Sequence, residues 1–429
     1  MFELQGYKPR LIDKRIDNML QIYGAICVEG PKWCGKTWTS TYHSNSSVYI
    51  GDPSGNFMNR SLAELEPSLI LNGEPPLLVD EWQVVPAIWD AVRFKVDQVG
   101  KKGLFILTGS STPNQKGILH GGSGRIGSVK MRTMSLFESG NSSGAVSLLG
   151  MFDGKINVTT INKPTLSELI EYIIRGGWPG LQGLDVNNGN SVISDYLDKV
   201  PDDMERMDGR KRDVRKVRSI ITSLGRAEST MMSKTAIKKD IEEYAEDYNQ
   251  FSDVSMSLIS DYMDCFTRLF LIEDQPAFEQ KLRSSIKSLK SAKHHFSDPS
   301  LAVAALKATP DMLMKDLNTL GYLFESLCIR DLRIYADSYD GQIYHYHDEK
   351  GNEVDAVVEL PDGRWGMIEI KIRFNQVESA ACSLVSLRDK FIAETGKTPA
   401  FLCVICGLCK AAYQRSDGVF VVPITALAP

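Results

Sequence analysis

Short apolar runs alternate with segments of helical pattern in the first third of the chain. Several of these runs are continuously apolar, whereas a strand with one face in water alternates apolar and polar positions. Continuous runs are typical of strands covered on both faces by helices in a mainly parallel sheet. The alternation of strands and helices therefore predicts a doubly wound α/β domain. The predicted strands are residues 24–29, 47–51, 76–79, 104–107 and 129–133.

Helical patterns dominate the middle of the chain. Residues 165–200 are predicted to complete the first domain as a small helical lid. Helical patterns at 214–225, 233–246 and 254–268 then precede a strand-like piece, Phe270 to Glu273. The third of these helices combines apolar residues at helical spacing with several aspartates. This pattern indicates that the helix packs in the core, and it argues against contacts between that helix and the bases of DNA.

The length of 429 residues predicts two or three domains. The composition changes near residue 206, where a segment rich in lysine and arginine begins. A second α/β pattern follows the helical region. We therefore expect an α/β domain with its helical lid at 1–205, a helical module at 206–315 and a further α/β domain at 316–429.

The composition is that of a folded protein with no extreme bias. Hydrophobic residues make up 43% of the chain, and the net charge is −5, which argues against a basic nucleic-acid coat protein. No apolar run approaches the roughly 20 residues of a membrane span, and the first residues lack a signal-peptide pattern. Eight cysteines in this length do not make a disulfide scaffold, so we expect a reduced, cytoplasmic setting.

Residues 30–37 match the phosphate-loop pattern G-x-x-x-x-G-K-[ST] and follow a predicted strand. In such a loop Lys36 reaches the β- and γ-phosphates of a nucleotide, and the Thr37 hydroxyl is a Mg²⁺ ligand. The helix that begins here adds its positive end to the anion site. The alternative is a glycine-rich turn. The residues predicted to contact ATP are Gly30, Pro31, Lys32, Trp33, Cys34, Gly35, Lys36, Thr37 and Trp38.

Two later strands end in polar residues that suit nucleotide hydrolysis. Asp80 closes an apolar strand, where it would hold the Mg²⁺ shell, and the adjacent Glu81 would polarise the attacking water. The alternative is two solvated acids at the end of a strand. Thr108 and Ser110 follow the next strand, and either can sense the γ-phosphate.

A loop rich in Gly, Ser, Asn and Gln runs from Pro113 to Gly124 and leads into Arg125. An arginine at the end of such a loop suits an arginine finger that acts on a neighbouring subunit. The alternative is an ordinary surface arginine.

Two strand patterns, 354–360 and 365–371, flank the turn residues Pro361 to Gly363. A hairpin symmetric about Asp362 places Asp355 opposite Glu369. Glu369 and Lys371, two residues apart, share a face of their strand. The two carboxylates would hold Mg²⁺, and Lys371 would neutralise charge that develops on a phosphate. The alternative is a structural Glu/Lys pair.

The order of these motifs resembles a family of prokaryotic AAA-type ATPases with a restriction-endonuclease-like C-terminal domain. The segments Arg175 to Pro179, Glu273 to Ala277, His295 to Pro299 and Phe324 to Asp331 share the resemblance. It implies an extra strand between the two ATPase motifs, a glutamate-activated water and a winged-helix middle. It also implies an acidic residue from a preceding helix in the metal site, for which Glu325 fits.

From the motifs and the resemblance together we expect an ATP- and Mg²⁺-dependent ATPase that forms homo-oligomers and acts on DNA. The alternative is an oligomeric regulator, switched by ATP and ADP, whose nuclease-like domain binds a partner without cleavage. A third possibility is remodelling of peptides or proteins. Residues 206–218 hold seven lysines and arginines. A second basic segment is the candidate for phosphate contacts, and it contains Lys281, Arg283, Lys287, Lys290 and Lys293. The alternative is a solvated loop.

Overall fold

The structure is a computed structural model that describes residues 6–112, 118–156, 158–248, 254–279 and 291–429. Its first part is a parallel sheet flanked by helices. Among the described residues, none of the helices has the length and apolar character needed to cross a membrane. The elements of this part are α1 (Asp13–Ile22), β1 (Ala25–Glu29), α2 (Lys36–Tyr42), β2 (Ser46–Tyr49), α3 (Ser54–Leu65), β3 (Leu77–Asp80), α4 (Ala87–Val99), β4 (Phe105–Gly109) and β5 (Ile126–Lys130).

The strands of this sheet lie in the order β2-β3-β4-β1-β5, and all their pairings are parallel. Each predicted strand of this part overlaps an observed one. β4 lies between β1, which leads into the phosphate loop, and β3, which ends at Asp80. This is the extra strand that the resemblance implies. The sheet core is almost completely buried, in agreement with the continuous apolar runs.

The middle of the chain is mostly helical. Two short strands and a short helix lead into it: β6 (Val146–Ser147), α5 (Leu148–Phe152) and β7 (Thr159–Thr160). The helices that follow are α6 (Leu166–Arg175), α7 (Val186–Asp198), α8 (Val200–Asp208), α9 (Val214–Arg226), α10 (Lys234–Tyr248), α11 (Met256–Arg268), α12 (Pro299–Ala305) and α13 (Pro310–Lys315).

The strand-like piece predicted at Phe270 to Glu273 does not form a regular strand. In the described residues it contributes an isolated bridge between Ile272 and Phe296, with others between Gln275 and Lys293 and between Thr230 and His294. Leu271 and Ile272 of this piece are buried in the largest apolar cluster of the described residues, which includes side chains of both the middle helices and the C-terminal sheet. The winged-helix assignment therefore stays a prediction.

The last part is a long helix followed by a mixed sheet. Its elements are α14 (Leu317–Asp337), β8 (Gln342–His347), β9 (Glu353–Glu359), β10 (Trp365–Arg373), α15 (Val377–Thr395), β11 (Phe401–Leu408), β12 (Ala411–Gln414), β13 (Phe420–Pro423) and β14 (Leu427–Ala428). The sheet order is β7-β12-β13-β11-β10-β9-β8. β8, β9 and β10 pair antiparallel, whereas β10, β11 and β13 are parallel. The buried apolar side chains of β10 belong to two clusters. One cluster includes residues of α14, and the other includes residues of α15.

Packing continues across the predicted domain boundaries. β7 pairs with β12, and β6 pairs with β14, so residues from the first predicted domain extend the C-terminal sheets. One apolar cluster includes residues from the lid helices, the middle helices and α14. The boundaries at 205 and 315 stay predictions, but the parts that they separate share one core.

Side-chain caps fix the ends of several helices. α6 begins with a capping box in which Thr165 and Glu168 bond to each other's backbone amides. Asp316 caps α14 by accepting from the amides of Asn318 and Thr319. The Asp298 carboxylate caps α12 from a fully buried position. These caps define the start of α12 and of α14, the helix that carries Glu325.

Candidate functional site

The phosphate loop joins β1 to α2 at the carboxyl edge of the parallel sheet. Gly35 has φ 106°, in the left-handed region, immediately before α2 begins at Lys36. A Cβ on Gly30 would lie 2.1 Å from the Met131 carbonyl oxygen, so only glycine fits between this loop and the end of β5. The two glycines of the motif thus allow a sharp turn and a close backbone approach.

The Lys36 ammonium lies inside the phosphate loop. Its Nζ donates to the carbonyl oxygens of Gly30 at 2.9 Å and Pro31 at 2.8 Å. The side chain is almost fully buried. These carbonyls hold the cation where phosphate oxygens can replace them as acceptors, because an ammonium prefers anionic to neutral acceptors.

Asp80 receives two hydroxyl hydrogen bonds on one oxygen. Thr37 Oγ1 donates to its Oδ1 at 2.9 Å and Thr108 Oγ1 donates to the same atom at 2.7 Å. Burial raises the pKa of Asp80, and these two hydrogen bonds only partly offset it. Hydroxyl and carboxylate oxygens are the ligands that Mg²⁺ prefers, so Thr37 and Asp80 fit the predicted magnesium shell.

Glu81 lies beside Asp80 with φ 59°, a left-handed conformation that is uncommon for a residue with a side chain. Its backbone N–H donates to Thr108 Oγ1 at 3.0 Å. Ser110 Oγ donates to its Oε2 at 2.9 Å, and Gln83 Nε2 donates to the same oxygen. Thr108 thus contacts the predicted metal ligand, while Ser110 contacts the predicted base. Backbone strain of this kind is found at functional sites.

A cavity of about 1170 Å³ opens over these residues. Two later segments contact the tip of the phosphate loop beside it. Lys32 pairs with Asp203 of α8, and Trp33 stacks on Trp178, which follows α6, at 6.1 Å between ring centroids. Trp38 is 42% exposed on α2. Lys32, Trp33 and Trp38 line the cavity. Other lining residues are Tyr7, Arg10, Lys36, Thr37, Asp80, Glu81, Pro179 and Gly180.

Arg10 also lines this cavity, although no sequence motif points to it. Its guanidinium donates to the phosphate-loop carbonyl of Cys34 at 3.0 Å and to the Thr133 carbonyl at 3.1 Å. It also pairs with Glu138 at 2.9 Å. A single arginine in a polar N-terminal stretch gives no sequence signal for this role, which depends on contacts between distant segments.

Arg125 does not lie at the nucleotide cavity of its own chain. It precedes β5, and its carbonyl accepts from the Ala25 N–H at the start of β1, so it lies at the amino edge of the sheet. Its guanidinium pairs with Asp97 of α4 at 2.9 Å. The phosphate loop is at the opposite edge. A finger role within the same chain is thus incompatible with the geometry, and a role in a neighbouring subunit stays a prediction. Residues 113–117 of the preceding loop lie outside the described residues.

The C-terminal hairpin has the symmetry that the sequence predicts. Trp365 pairs with Glu359 and Ile368 with Ala356, so the register is centred on Asp362. Lys371 Nζ lies 2.7 Å from Glu369 Oε2 and 3.4 Å from Asp355 Oδ2. The Ile370 N–H also donates to Asp355 Oδ2, at 2.8 Å. The three predicted polar residues of the hairpin are therefore in direct contact.

Glu325 joins the same group through a second lysine. Lys293 Nζ lies 2.8 Å from Glu325 Oε1 and 3.8 Å from Asp355 Oδ1. We name the five residues Glu325, Lys293, Asp355, Glu369 and Lys371 the carboxylate cluster. Lys293 is only 6% exposed, so the prediction that it contacts phosphate at the surface is wrong. The other members of that basic segment, Lys281, Arg283, Lys287 and Lys290, lie outside the described residues.

Burial and charge shift the pKa values of the cluster. Burial, together with the nearby Asp355 charge, raises the pKa of Glu325 to about 7 and that of Glu369 to about 8. Burial also acts to raise the pKa of Asp355, but Lys371, Lys293 and the Ile370 amide outweigh it and lower this pKa. Asp355 is thus the acid that the cluster keeps ionised most strongly.

The donor chemistry of the cluster fits a hard divalent cation, since three carboxylates converge. The lysines, however, pair with the oxygens that a cation would use. Among the described residues, no group of three or more acidic, histidine or cysteine side chains is arranged as a preformed metal site. In this structure ammonium groups bridge these carboxylates, and the metal site at Glu325, Asp355 and Glu369 stays a prediction.

Three family comparisons cover most of the chain. Residues 23–139 match a family described as an AAA domain. Residues 166–312 match a domain of unknown function, DUF8612, and residues 320–427 match another, DUF4143. The first match includes the phosphate loop, Asp80, Glu81, Thr108 and Ser110, and it supports an AAA-type P-loop ATPase that binds ATP. A comparison with curated proteins gives no match.

Solved structures of archaeal proteins are similar at low identity. The Walker-type ATPase PABY2304 of Pyrococcus abyssi is 11% identical with a TM-score of 0.41, over 71% of this chain and 99% of that chain. The ORC2 protein of Aeropyrum pernix is 12% identical with a TM-score of 0.29, over 71% and 91%. Cdc6p from Pyrobaculum aerophilum is 12% identical with a TM-score of 0.21, over 70% and 96%. No functional inference follows from these similarities.

Proposed function

We propose that this chain hydrolyses ATP at the phosphate loop and that the nucleotide state controls a metal-dependent nuclease site at the carboxylate cluster, with DNA as the substrate. The observation that carries the proposal is the convergence of Asp355, Glu369 and Lys371 on one hairpin, with Glu325 brought in by α14.

The ATPase half of the proposal assigns a role to each group at the sheet edge. Lys36 would leave the carbonyls of its loop and bind the terminal phosphates. Thr37 and Asp80 would hold Mg²⁺, which neutralises phosphate charge when bound. Glu81 would accept the proton of the attacking water, oriented by the hydrogen bonds from Ser110 and Gln83. Thr108, which donates to Asp80, would keep that carboxylate aligned.

The nuclease half rests on the chemistry of the cluster. Asp355, Glu369 and Glu325 would hold a divalent cation, which polarises a phosphodiester when bound. Lys371 would then face the phosphate and stabilise its negative charge. Exposed arginines of α8 and α9, Arg206 and Arg218 among them, are available for backbone contacts with a nucleic acid.

A buried polar chain connects the two halves. Arg10 bonds the phosphate loop and the Thr133 carbonyl, and Thr133 Oγ1 donates to Asp298 at 2.7 Å. Asp298 pairs with Arg330 of α14 at 3.1 Å. α14 also carries Glu325, so a shift of the phosphate loop has a contiguous physical route to the cluster.

The test is DNA cleavage by purified protein with ATP and Mn²⁺. We expect wild-type protein to cut DNA and Asp355→Asn to lose both cleavage and Mn²⁺ binding, because the amide removes the most strongly ionised ligand. ATPase activity serves as the control and should be retained in Asp355→Asn. Equal cleavage by both proteins would assign the nuclease activity to another site or to a contaminant.

The second candidate is an oligomeric regulator whose C-terminal domain binds a partner without cleaving it. The observation that favours it is the pairing of both lysines with the carboxylates of the cluster. In either case Arg125 would act on a neighbouring subunit. A mixture of inactive Arg125→Ala and inactive Glu81→Gln proteins should then regain some ATPase activity, whereas full activity in a strict monomer would exclude this role.

A further inference from the structure

Lys293 reaches the carboxylate cluster from outside the hairpin. Its Nζ lies between Glu325 Oε1, at 2.8 Å, and Asp355 Oδ1, at 3.8 Å. Lys371 faces the other oxygen of Asp355. The two oxygens of Asp355 are thus each directed at a different ammonium group. A cation bound by Glu325 and Asp355 together needs the place that Lys293 Nζ occupies.

The backbone of Lys293 belongs to the middle of the chain. Its N–H donates to the Gln275 carbonyl at 3.0 Å, and its carbonyl accepts from the Gln275 N–H at 2.8 Å. The following residue, His294, donates to the Thr230 carbonyl at 2.9 Å. The fully buried Gln275 side chain also donates to the carbonyls of Tyr344 and Asp355 at 2.9 Å. The position of Lys293 therefore depends on contacts between non-helical segments of the middle of the chain and, through Gln275, on the C-terminal sheet.

We propose that Lys293 is a built-in counter-ion that occupies the divalent-cation position between Glu325 and Asp355 and keeps the cluster inactive until the middle module withdraws it. This inference rests on the proposed metal-dependent function and adds its control. Three carboxylates without counter-ions repel one another, and Lys293 offsets the charge of Glu325 and Asp355 while Lys371 faces Asp355 and Glu369. Withdrawal of its ammonium exposes the Glu325 and Asp355 oxygens together.

The experiment compares Mn²⁺ binding by the full chain and by Lys293→Met, using titration calorimetry. The methionine keeps the length and apolar volume of the side chain while it removes the ammonium. We expect Mn²⁺ to bind Lys293→Met on the order of tenfold more tightly than wild type, because no ammonium competes for the carboxylates. Lys390→Met is the matched control. It removes the ammonium from a second lysine–carboxylate pair, with Asp348 at 2.5 Å, and should leave Mn²⁺ affinity unchanged.

Thermal melting with and without Mn²⁺ gives a second readout that does not depend on activity. Lys293→Met should be less stable than wild type without the metal and should gain more stability from Mn²⁺, since a ligand of the folded state stabilises it by mass action. A variant that folds only when Mn²⁺ is added also supports the proposal. Lys293→Arg, which keeps the charge, should retain weak binding like that of wild type.

Equal Mn²⁺ affinity in Lys293→Met and wild type would overturn the inference. If that equal binding still depends on Asp355 and wild type still cuts DNA, the proposed function stands without this control. If neither protein binds Mn²⁺ and neither cuts DNA, both the inference and the nuclease proposal fail. The proposed ATPase activity is then tested separately by phosphate release.

Discussion

The nucleotide site and the carboxylate cluster both bring acids and lysines together beside a sheet, but they arrange their charges in opposite ways. At the nucleotide site Lys36 donates to neutral carbonyls, and the acids Asp80 and Glu81 receive hydroxyl and amide donors beside a cavity of about 1170 Å³. In the cluster both lysines lie directly on carboxylates. The first site therefore suits the anion and metal of the proposed ATPase, whereas in the second the lysines contact the oxygens that the proposed cation would need.

The largest expected effect lies at the nucleotide site. Glu81→Gln should lower ATP turnover by about 10²–10⁴-fold, because the amide cannot accept a proton from water. Binding of a fluorescent ATP analogue should persist, since Lys36 and Thr37 are unchanged. Phosphate release measures the turnover.

Glu64→Gln is the control for this change. Glu64 forms an exposed pair with Arg60 on α3, a kind of pair that contributes little, so turnover should remain normal. Normal turnover in Glu81→Gln itself would remove Glu81 from the base role and leave the nucleotide site without its proposed chemistry.

The next effect concerns the link between the two sites. Asp298 accepts from Thr133, the Gly177 N–H, Ser300 and Arg330 without any exposure to solvent. Asp298→Ala should cost about 3–5 kcal/mol of unfolding free energy, because it leaves the buried Arg330 charge with less compensation. Urea denaturation followed by circular dichroism measures this.

Asp316→Ala is the matched comparison, since Asp316 also caps a helix but is exposed. Its loss should cost about 1 kcal/mol. Equal costs for the two substitutions would mean that the buried network contributes no more than an ordinary cap, and the proposed route between the sites would lose its structural basis.

A smaller effect is a pH dependence of the unfolding free energy that arises from Glu228, a buried carboxyl. Burial raises the pKa of Glu228 from 4.5 to about 8, and Glu228 accepts from the Phe296 N–H at 3.0 Å. A carboxyl with a raised folded-state pKa binds more protons in the folded than in the unfolded chain. Stability from this group therefore falls as pH rises from 4.5 to about 8. Burial lowers the pKa of the neighbouring His295 well below 6.5, which has the opposite sign but acts only below that pH.

Glu228→Gln should therefore flatten the stability profile between pH 6.5 and pH 8. The unfolding free energy of wild type should fall relative to the variant by about 1–2 kcal/mol over that interval, as the slope is at most about 1.4 kcal/mol per pH unit. Denaturant titrations at a series of pH values measure the difference. Parallel profiles would show that the pKa of Glu228 is not raised in the folded chain and that water reaches its carboxyl group.

Local patterns predicted much of the fold and part of each site. Apolar runs predicted the five parallel strands of the nucleotide-binding sheet, because buried strands must be continuously apolar. The turn at Asp362 fixed the register of the hairpin that brings Asp355 near Lys371. Each of these features depends on residues that are close in sequence.

The rest depends on contacts between distant segments. Lys293 looked like one cation in an exposed basic segment, and only its pairing with Gln275 carries it into the cluster. The Arg10 guanidinium donates to the carbonyls of Cys34 and Thr133, and these three residues are far apart in sequence. Arg125 precedes β5, and the direction of that strand puts it at the edge of the sheet opposite the phosphate loop. Residue type and spacing contain none of this information.

In the proposed function, nucleotide at the phosphate loop governs metal-dependent chemistry at the carboxylate cluster. The most direct measurement is the rate of plasmid DNA cleavage in Mn²⁺ without nucleotide, with ADP and with ATP, for wild type and for Lys36→Ala. We expect the wild-type rate to differ by on the order of tenfold or more between nucleotide states, as a coupling free energy of 1–3 kcal/mol implies. Lys36→Ala should keep one rate throughout, because it cannot hold the phosphates. A wild-type rate that is the same in all three nucleotide states, or no cleavage in any of them, would contradict the proposed coupling between nucleotide and DNA cleavage.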